Sequence, residues 1–296
     1  MYIVNPVDFN LGGVRDDLGN KCHGSFHADD DDDVVSPDLI RFPLALSGVS
    51  KSYGSHLVLD GIDLKIPVGK SISIIGASGS GKSTLLRLMA NLELPSAGQL
   101  RWWGSDARIL GSTDRRLGMV FQDANLLPWA NVVKNVALPL RLQGMPAAIA
   151  MKASHEMLEL VGLHQKDKLF PRELSGGMKM RVSIARAIVT QPNLLFMDEP
   201  FGALDEITRE QLNDDMLRIR EELGVTIVLV THSIQEAVYM GDMVLVLRAN
   251  PGRVSEIIDL PKRTEFWRQG DDYRISDSFF NNVRIVSRAL RKWSER

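Results

Sequence analysis

Ser71-Ile72-Ser73-Ile74-Ile75-Gly76-Ala77-Ser78-Gly79-Ser80-Gly81-Lys82-Ser83-Thr84-Leu85-Leu86 decides how the rest of this sequence is read. A short β-rich run leads into the pattern G-x-x-x-x-G-K-[ST], spanning Gly76 to Ser83, and a helical run over Leu85 to Ala90 follows it. Strand, glycine-rich loop and helix in that order make a phosphate cradle. The glycines let the backbone wrap an anion without Cβ clashes, and the loop N–H groups and helix start supply donors. The lysine of the pattern, Lys82, is placed to reach β- and γ-phosphate oxygens, and the hydroxyl of Ser83 to hold Mg²⁺.

Such a loop needs a second metal anchor. Leu194-Leu195-Phe196-Met197-Asp198-Glu199 places one at the end of an apolar run, with Asp198 expected to hold Mg²⁺ through water. Glu199, one residue further, is the candidate general base, able to take a proton from a water lined up on the γ-phosphate. Both carboxylates then sit at the strand end where open α/β sheets bind ligands. Thr226 to Thr231 and Met243 to Leu247 are similar continuous apolar runs with helical patterns between them. Such runs mark strands buried on both faces, and so a mostly parallel sheet in an α/β core.

Outward from this core the organisation changes. Leu57 to Ile66 and neighbouring runs after Leu44 are short, β-rich and punctuated by Gly54, Gly61, Pro67 and Gly69. Between Asn131 and Arg186 strand signals disappear and helical spacing dominates, as over Met145 to Val161. Phe279, Val283, Val286, Leu290 and Trp293 form one apolar stripe near the C-terminus, expected to dock on its own domain, with a membrane-surface helix as the alternative. Residues 1–43 carry nine Asp, five of them consecutive at 29–33, against three Lys or Arg. A segment so charged is expected to be a mobile, solvated extension, because a contiguous Asp run lacks the alternating ligands and turn glycine of a calcium loop.

Composition removes whole classes of function. The 296 residues are 44% apolar and 24% charged with a net charge of −2, an ordinary globular balance without the basic field of a nucleic-acid binder. No apolar run approaches the roughly 18 residues of a membrane span, and the N-terminus does not read as a secretory signal. The single cysteine, Cys22, fits a reducing cytoplasm. The histidines at 23, 27, 56, 155 and 164 show no metal-ligand spacing.

The phosphate loop and strand-end carboxylates alone would suit kinases, small GTPases or motor ATPases. The deciding stretch is Leu174-Ser175-Gly176-Gly177-Met178, which closely resembles the signature of ABC ATPases. A serine and paired glycines at a helix start present a hydroxyl and backbone N–H groups to an anion. The rest of that family's set follows in order: Tyr53 ahead of the loop, Gln122 in Val120-Phe121-Gln122, Ala203-Leu204-Asp205 after Glu199, and His232 past Thr231. The resemblance covers about residues 44–260. It implies a P-loop NTPase core of RecA-like type with an N-terminal antiparallel β subdomain and a helical signature subdomain at about 125–185.

The resemblance also assigns roles. Tyr53 would stack on adenine. Gly76, Ala77, Ser78, Gly79, Ser80, Gly81, Lys82, Ser83 and Thr84 would bind the ATP phosphates. Gln122 would reach Mg²⁺ and the attacking water while its loop senses a membrane subunit, and His232 would position the pair of Glu199 and water. Asp205 would shape a subunit interface. The signature Ser175, Gly176 and Gly177 would close over ATP held by a second copy, so the working form would be an ATP-sandwiched homodimer. Glu199→Gln would then trap that dimer.

Phe121 to Trp129, Val132 to Val136, Met178 and Asp198 to Arg209 are similar to the ATP-binding subunits of nitrate, sulfonate and taurine importers. Such a subunit would lie on the cytoplasmic side of a bacterial inner membrane. It would drive integral permease subunits while a periplasmic or extracellular solute-binding protein delivers the solute, with no nucleic-acid partner. The competing readings are a soluble ABC ATPase acting on ribosomes or DNA, and an ABC motor for lipid or exported cargo. Lys179-Met180 stand before Arg181 where relatives often carry Gln. The expected boundaries are an acidic extension at 1–43, the ATPase domain at 44–262, and a C-terminal helical tail at 263–296.

Overall fold

In a computed structural model, described for residues 42–106, 116–260 and 273–294, the alternation of apolar strands and amphipathic helices builds two sheets. The acidic segment before residue 42, with Cys22, lies outside the described residues, as do residues 261–272 and the side chain of Trp293. Antiparallel strands β1 (Leu44–Tyr53) and β2 (His56–Ile66) pair with each other, and β4 (Ala97–Trp102) and β5 (Ser105–Asp106) extend their sheet in the order β2-β1-β4-β5. The N-terminal antiparallel layer expected from the glycine-punctuated runs is therefore present.

The second sheet has six strands in the order β10-β9-β3-β8-β7-β6. Its members are β3 (Ser71–Gly76), β6 (Leu117–Val120), β7 (Leu194–Asp198), β8 (Thr226–Val230), β9 (Met243–Arg248) and β10 (Arg253–Asp259). All pairings are parallel except that of β10 with β9. Successive residues of a strand face opposite sides, and here both sides are apolar. Leu195 and Met197 enter one hydrophobic cluster, Leu194 and Phe196 the other, and all four are fully buried. A run without polar alternation is what a doubly covered sheet requires. Phe196→Ala would cost about 3–5 kcal/mol.

Seven helices are described: α1 (Lys82–Met89), α2 (Val132–Leu142), α3 (Ala147–Leu160), α4 (Gly176–Ile188), α5 (Glu206–Leu223), α6 (Ile234–Met240) and α7 (Asp277–Ser294). Helix α1 and the antiparallel sheet cover one face of the parallel sheet, while the other helices share the opposite cluster. Their starts follow local chemistry, since Asn131, Ser175, Asp205 and Ser233 each accept an N–H of the first turn as N-cap. The helix α1 begins at Lys82 rather than Leu85, because Gly81, at φ +89°, turns the chain directly into it.

The C-terminal stripe docks on the domain. Phe279, Val286 and Ala289 join the helix-side cluster, with Val283 and Leu290 packed against it. Tyr273 stacks beside Tyr239 of α6 at 6.3 Å and meets Phe279 edge-on at 5.3 Å. Arg274 lies 3.7 Å over the Tyr239 ring and binds Asp214 of α5, which also accepts from the Tyr239 hydroxyl.

Candidate active site

Four parallel strands end together. Ile74 of β3 pairs with Val230 of β8, Asp198 of β7 with the same Val230, and Val120 of β6 with Met197. The residues that follow these ends are therefore Gly76 to Gly81, Gln122, Glu199 and His232, gathered at one rim of the sheet. This is the crevice in which open α/β sheets hold ligands.

The phosphate loop is tight. A Cβ at Gly76 would stand 2.3 Å from the Leu247 carbonyl oxygen and 2.7 Å from Ser80 Oγ, so only glycine fits. Ser80 Oγ is buried with no hydrogen-bond partner among the described residues. Lys82 folds back to donate to the carbonyls of Gly76 at 3.0 Å and Ala77 at 3.1 Å. Burial lowers its pKa, while the nearby Glu199 and Asp198 pull it back up. A lysine so placed has its charge poorly solvated and aimed along the loop, which favours an incoming polyanion.

Ser83 Oγ donates to Asp198 Oδ1 at 3.0 Å. Burial pushes the Asp198 carboxyl up, against the Ser83 hydrogen bond and the attractions of Arg87 and Lys82. A hydroxyl and a desolvated carboxylate are hard oxygen donors, and the pair suits Mg²⁺, whose charge would relieve the buried anion. Glu199 occupies the left-handed region at φ +46°, its N–H donating to the Val230 carbonyl at 2.9 Å. His232 Nδ1 lies 3.1 Å from Glu199 Oε2. Gly202 keeps the space open, since a Cβ there would approach His232 Cε1 at 3.3 Å.

The other expected residues stand around this centre. Tyr53, about half exposed, hydrogen-bonds Glu93 and lies beside the Lys51 ammonium, and the Glu93 contact raises its hydroxyl pKa. Gln122 is exposed just past β6. Ser175 is spent as the N-cap of α4, accepting from the Met178 N–H at 3.3 Å, and no hydrogen bond among the described residues joins the signature to the phosphate loop. Instead it packs on the start of α5, where a Cβ at Gly177 would meet Thr208 Cγ2 at 2.6 Å. Asp205 caps α5 through the Thr208 N–H at 3.0 Å, which holds its carboxyl below the ordinary range. Within one chain, then, the signature and Asp205 both meet the start of α5 at Thr208. Arg181, the residue after the Lys179-Met180 departure, ties the Val161 carbonyl to Asp215 of α5.

Two groups escaped the sequence reading. Glu236, one turn past His232, is buried, and burial raises its pKa against the Thr231 hydrogen bond and the attractions of Arg209 and His232. Its signal was the Ser233-x-x-Glu236 capping pattern. Asn135 is fully buried in α2 and binds the 127–131 loop four times, at Leu127 N, Leu127 O, Ala130 O and Asn131 O.

Comparison with known proteins shows the family. A family model described as ABC transporter matches residues 59–202. The chain is 42% identical over 220 residues to the aliphatic sulfonates import ATP-binding protein of Escherichia coli K12, covering 74% of this chain and 83% of that protein. It belongs to the ABC transporter family. A homologous import protein of Pseudomonas putida is 43% identical over 227 residues, covering 76% of this chain and 81% of its own. Among solved structures, a dimeric ATP-binding cassette in a post-hydrolysis state with ADP and Pi is similar at 32% identity and TM-score 0.66, over 74% of this chain and 99% of that one. The cbiO1 protein of Clostridium perfringens, part of an ABC transporter complex, is similar at 27% identity and TM-score 0.67, over 78% and 92%. As an ABC cassette the chain binds and hydrolyses ATP. No helix among its described residues is long and apolar enough to cross a membrane.

Proposed function

We propose that this cassette is the ATP-hydrolysing subunit of a bacterial import system for a small anion of the sulfonate, nitrate or taurine type, peripheral to the inner membrane. The observation that carries the catalytic part is the adjacency of two pairs at one sheet rim: Ser83 with Asp198 at 3.0 Å and Glu199 with His232 at 3.1 Å. In this reading Gly76 to Thr84 hold the ATP phosphates, Lys82 meets the β- and γ-oxygens, and Tyr53 stacks on adenine. Ser83, Asp198 and Gln122 would hold Mg²⁺, which when bound neutralises charge developing on the transferred phosphoryl group. Glu199 takes the proton of the attacking water as its oxygen bonds to the γ-phosphorus and the bond to ADP breaks. His232 holds the Glu199 carboxylate in line.

Within one chain the Ser175 hydroxyl caps its own helix and makes no hydrogen bond to the phosphate loop among the described residues; in this reading Ser175, Gly176 and Gly177 serve the nucleotide of a second copy, with Asp205 at the seam. ATP between two such copies adds its binding energy to association, and hydrolysis removes it. Integral permease subunits convert that cycle into uptake, with a solute-binding protein outside. The import assignment is supported by the sulfonate import proteins to which the chain is similar.

The test is co-purification of tagged chain from gently solubilised native membranes. A polytopic permease in the eluate is the expected result, and its binding protein can then be screened against sulfonates and nitrate. Recovery of ribosomes or nucleic acid without a permease would overturn the import assignment and leave ATP hydrolysis standing.

A further inference from the structure

Gly252, in the turn joining β9 to β10, lies directly against the phosphate loop. A Cβ built on it would stand 2.3 Å from the Ser80 carbonyl oxygen, 2.8 Å from Leu59 Cδ2 and 3.0 Å from the Val58 carbonyl oxygen. Two of those three atoms are backbone and cannot swing aside. The turn is itself fastened to β2: Gly252 N donates to Val58 O at 2.8 Å and Asp60 N donates to Gly252 O at 2.9 Å. Beside them the Arg253 guanidinium binds the Asp60 carboxylate through Nε at 2.9 Å and through a terminal nitrogen. Leu59, fully buried, also touches the far end of the loop, 2.8 Å from where a Cβ on Gly81 would lie. Three consecutive residues of β2 thus grip both the loop and the turn against it.

We propose that the Asn250 to Arg253 turn is a positioning element for the nucleotide phosphates, acting through the Ser80–Gly81 peptide. In a trans peptide the carbonyl and the following N–H point opposite ways. With Ser80 O held against Gly252, the Gly81 N–H is aimed away from the turn. Loop N–H groups bind an anion only when they converge on it. Filling the space at Gly252 tilts that peptide and turns the donor aside, with Lys82 and the metal-holding pair untouched. The inference rests on reading Gly76 to Thr84 as the phosphate site.

The experiment measures equilibrium binding of a fluorescent ADP, together with KM and kcat for ATP, in full-length parental, Gly252→Ala, Arg253→Gln, Arg253→Lys and Lys82→Ala proteins. Gly252→Ala should weaken ADP binding and raise KM on the order of tenfold, with kcat at saturating ATP changed much less. Arg253→Gln, which loosens the clamp without filling the space, should show a smaller weakening that Arg253→Lys partly restores. Folded Gly252→Ala with parental affinity overturns the inference. If Gly252→Ala does not fold, parental affinity in Arg253→Gln overturns it. Lys82→Ala separates the two readings: parental affinity there removes the phosphate-site assignment itself, whereas its loss beside an unaffected Gly252→Ala removes only the role of the turn.

Discussion

Ser83 Oγ and Asp198 Oδ1, 115 positions apart in sequence, are 3.0 Å apart at the sheet rim. In the proposed site the second residue of α1 and the last residue of β7 would share one cation. Asp198→Asn keeps the shape and removes the charge. ATP turnover should fall by on the order of a hundredfold or more, as when a preorganised electrostatic contact is deleted. Because burial disfavours the Asp198 charge, the nucleotide-free melting temperature should hold or rise. Phosphate release and thermal melting of the same preparation check both arms.

Glu199→Gln removes the proton acceptor and leaves the His232 contact possible. Hydrolysis should drop about 10²–10⁴-fold while ATP binding persists, and light scattering should then report a stable dimer with ATP. Turnover at the parental rate would dismiss the assignment of the base. His232→Ala should lower kcat with little change in KM.

Gly177 and Thr208 should be coupled. An added methyl at 177 collides with Thr208 Cγ2 at 2.6 Å, pushing the signature helix from the start of α5. Gly177→Ala should reduce ATPase activity, and Gly177→Ala with Thr208→Ser, which deletes the colliding methyl, should recover most of it. A double variant no better than the single one would show that the defect lies elsewhere.

Asn135→Ala strips four side-chain hydrogen bonds from a buried loop closure; the Leu127 and Asn131 carbonyls keep the Ala130 and Asn135 N–H groups, while the Leu127 N–H and the Ala130 carbonyl lose their Asn135 contacts. The expected loss is about 2–3 kcal/mol, or roughly 3–5 °C in melting temperature for a chain of this size. The 127–131 loop presents Trp129, three-quarters exposed, so exchange of its amides with deuterium should accelerate first.

Glu236 predicts a pH dependence. Its carboxyl is raised by burial, with Arg209 of α5 and His232 opposing and Glu199 adding to the shift. A raised folded-state value favours the protonated form, so its contribution to stability is complete below the ordinary carboxylate range and is lost as pH climbs through the raised value. Glu236→Gln should therefore melt progressively higher than the parental protein as pH increases from about 4 toward 8. A difference independent of pH would contradict this.

The strands of the parallel sheet were legible because burial on both faces leaves no polar alternation to confuse them, as Leu194 to Met197 show. The strand, loop and helix around Gly76 to Ser83 and the strand end at Asp198 were legible because their signals are local. What the sequence left hidden depends on contacts between distant segments. Nothing near Gly252 announces that its missing side chain makes room for Ser80, and the capping pattern that points to Glu236 does not say that its carboxyl is buried. Ser175 shows the opposite limit: a residue read for its hydroxyl toward phosphate is, within its own chain, a helix cap.

Helix α6, which starts at the residue after Ser233 and carries the turn that places His232, is only seven residues long. So short a helix is not stable alone. It is held by Tyr239 against Asp214, and by the aromatic packing of Tyr273 and Phe279. Those last residues are synthesised after every motif of the proposed nucleotide site. On the ribosome the β9 strand and the Gly252 turn that flank the phosphate loop are made only about twenty residues before Tyr273, so the loop and its histidine would be fixed close together in time, the histidine last.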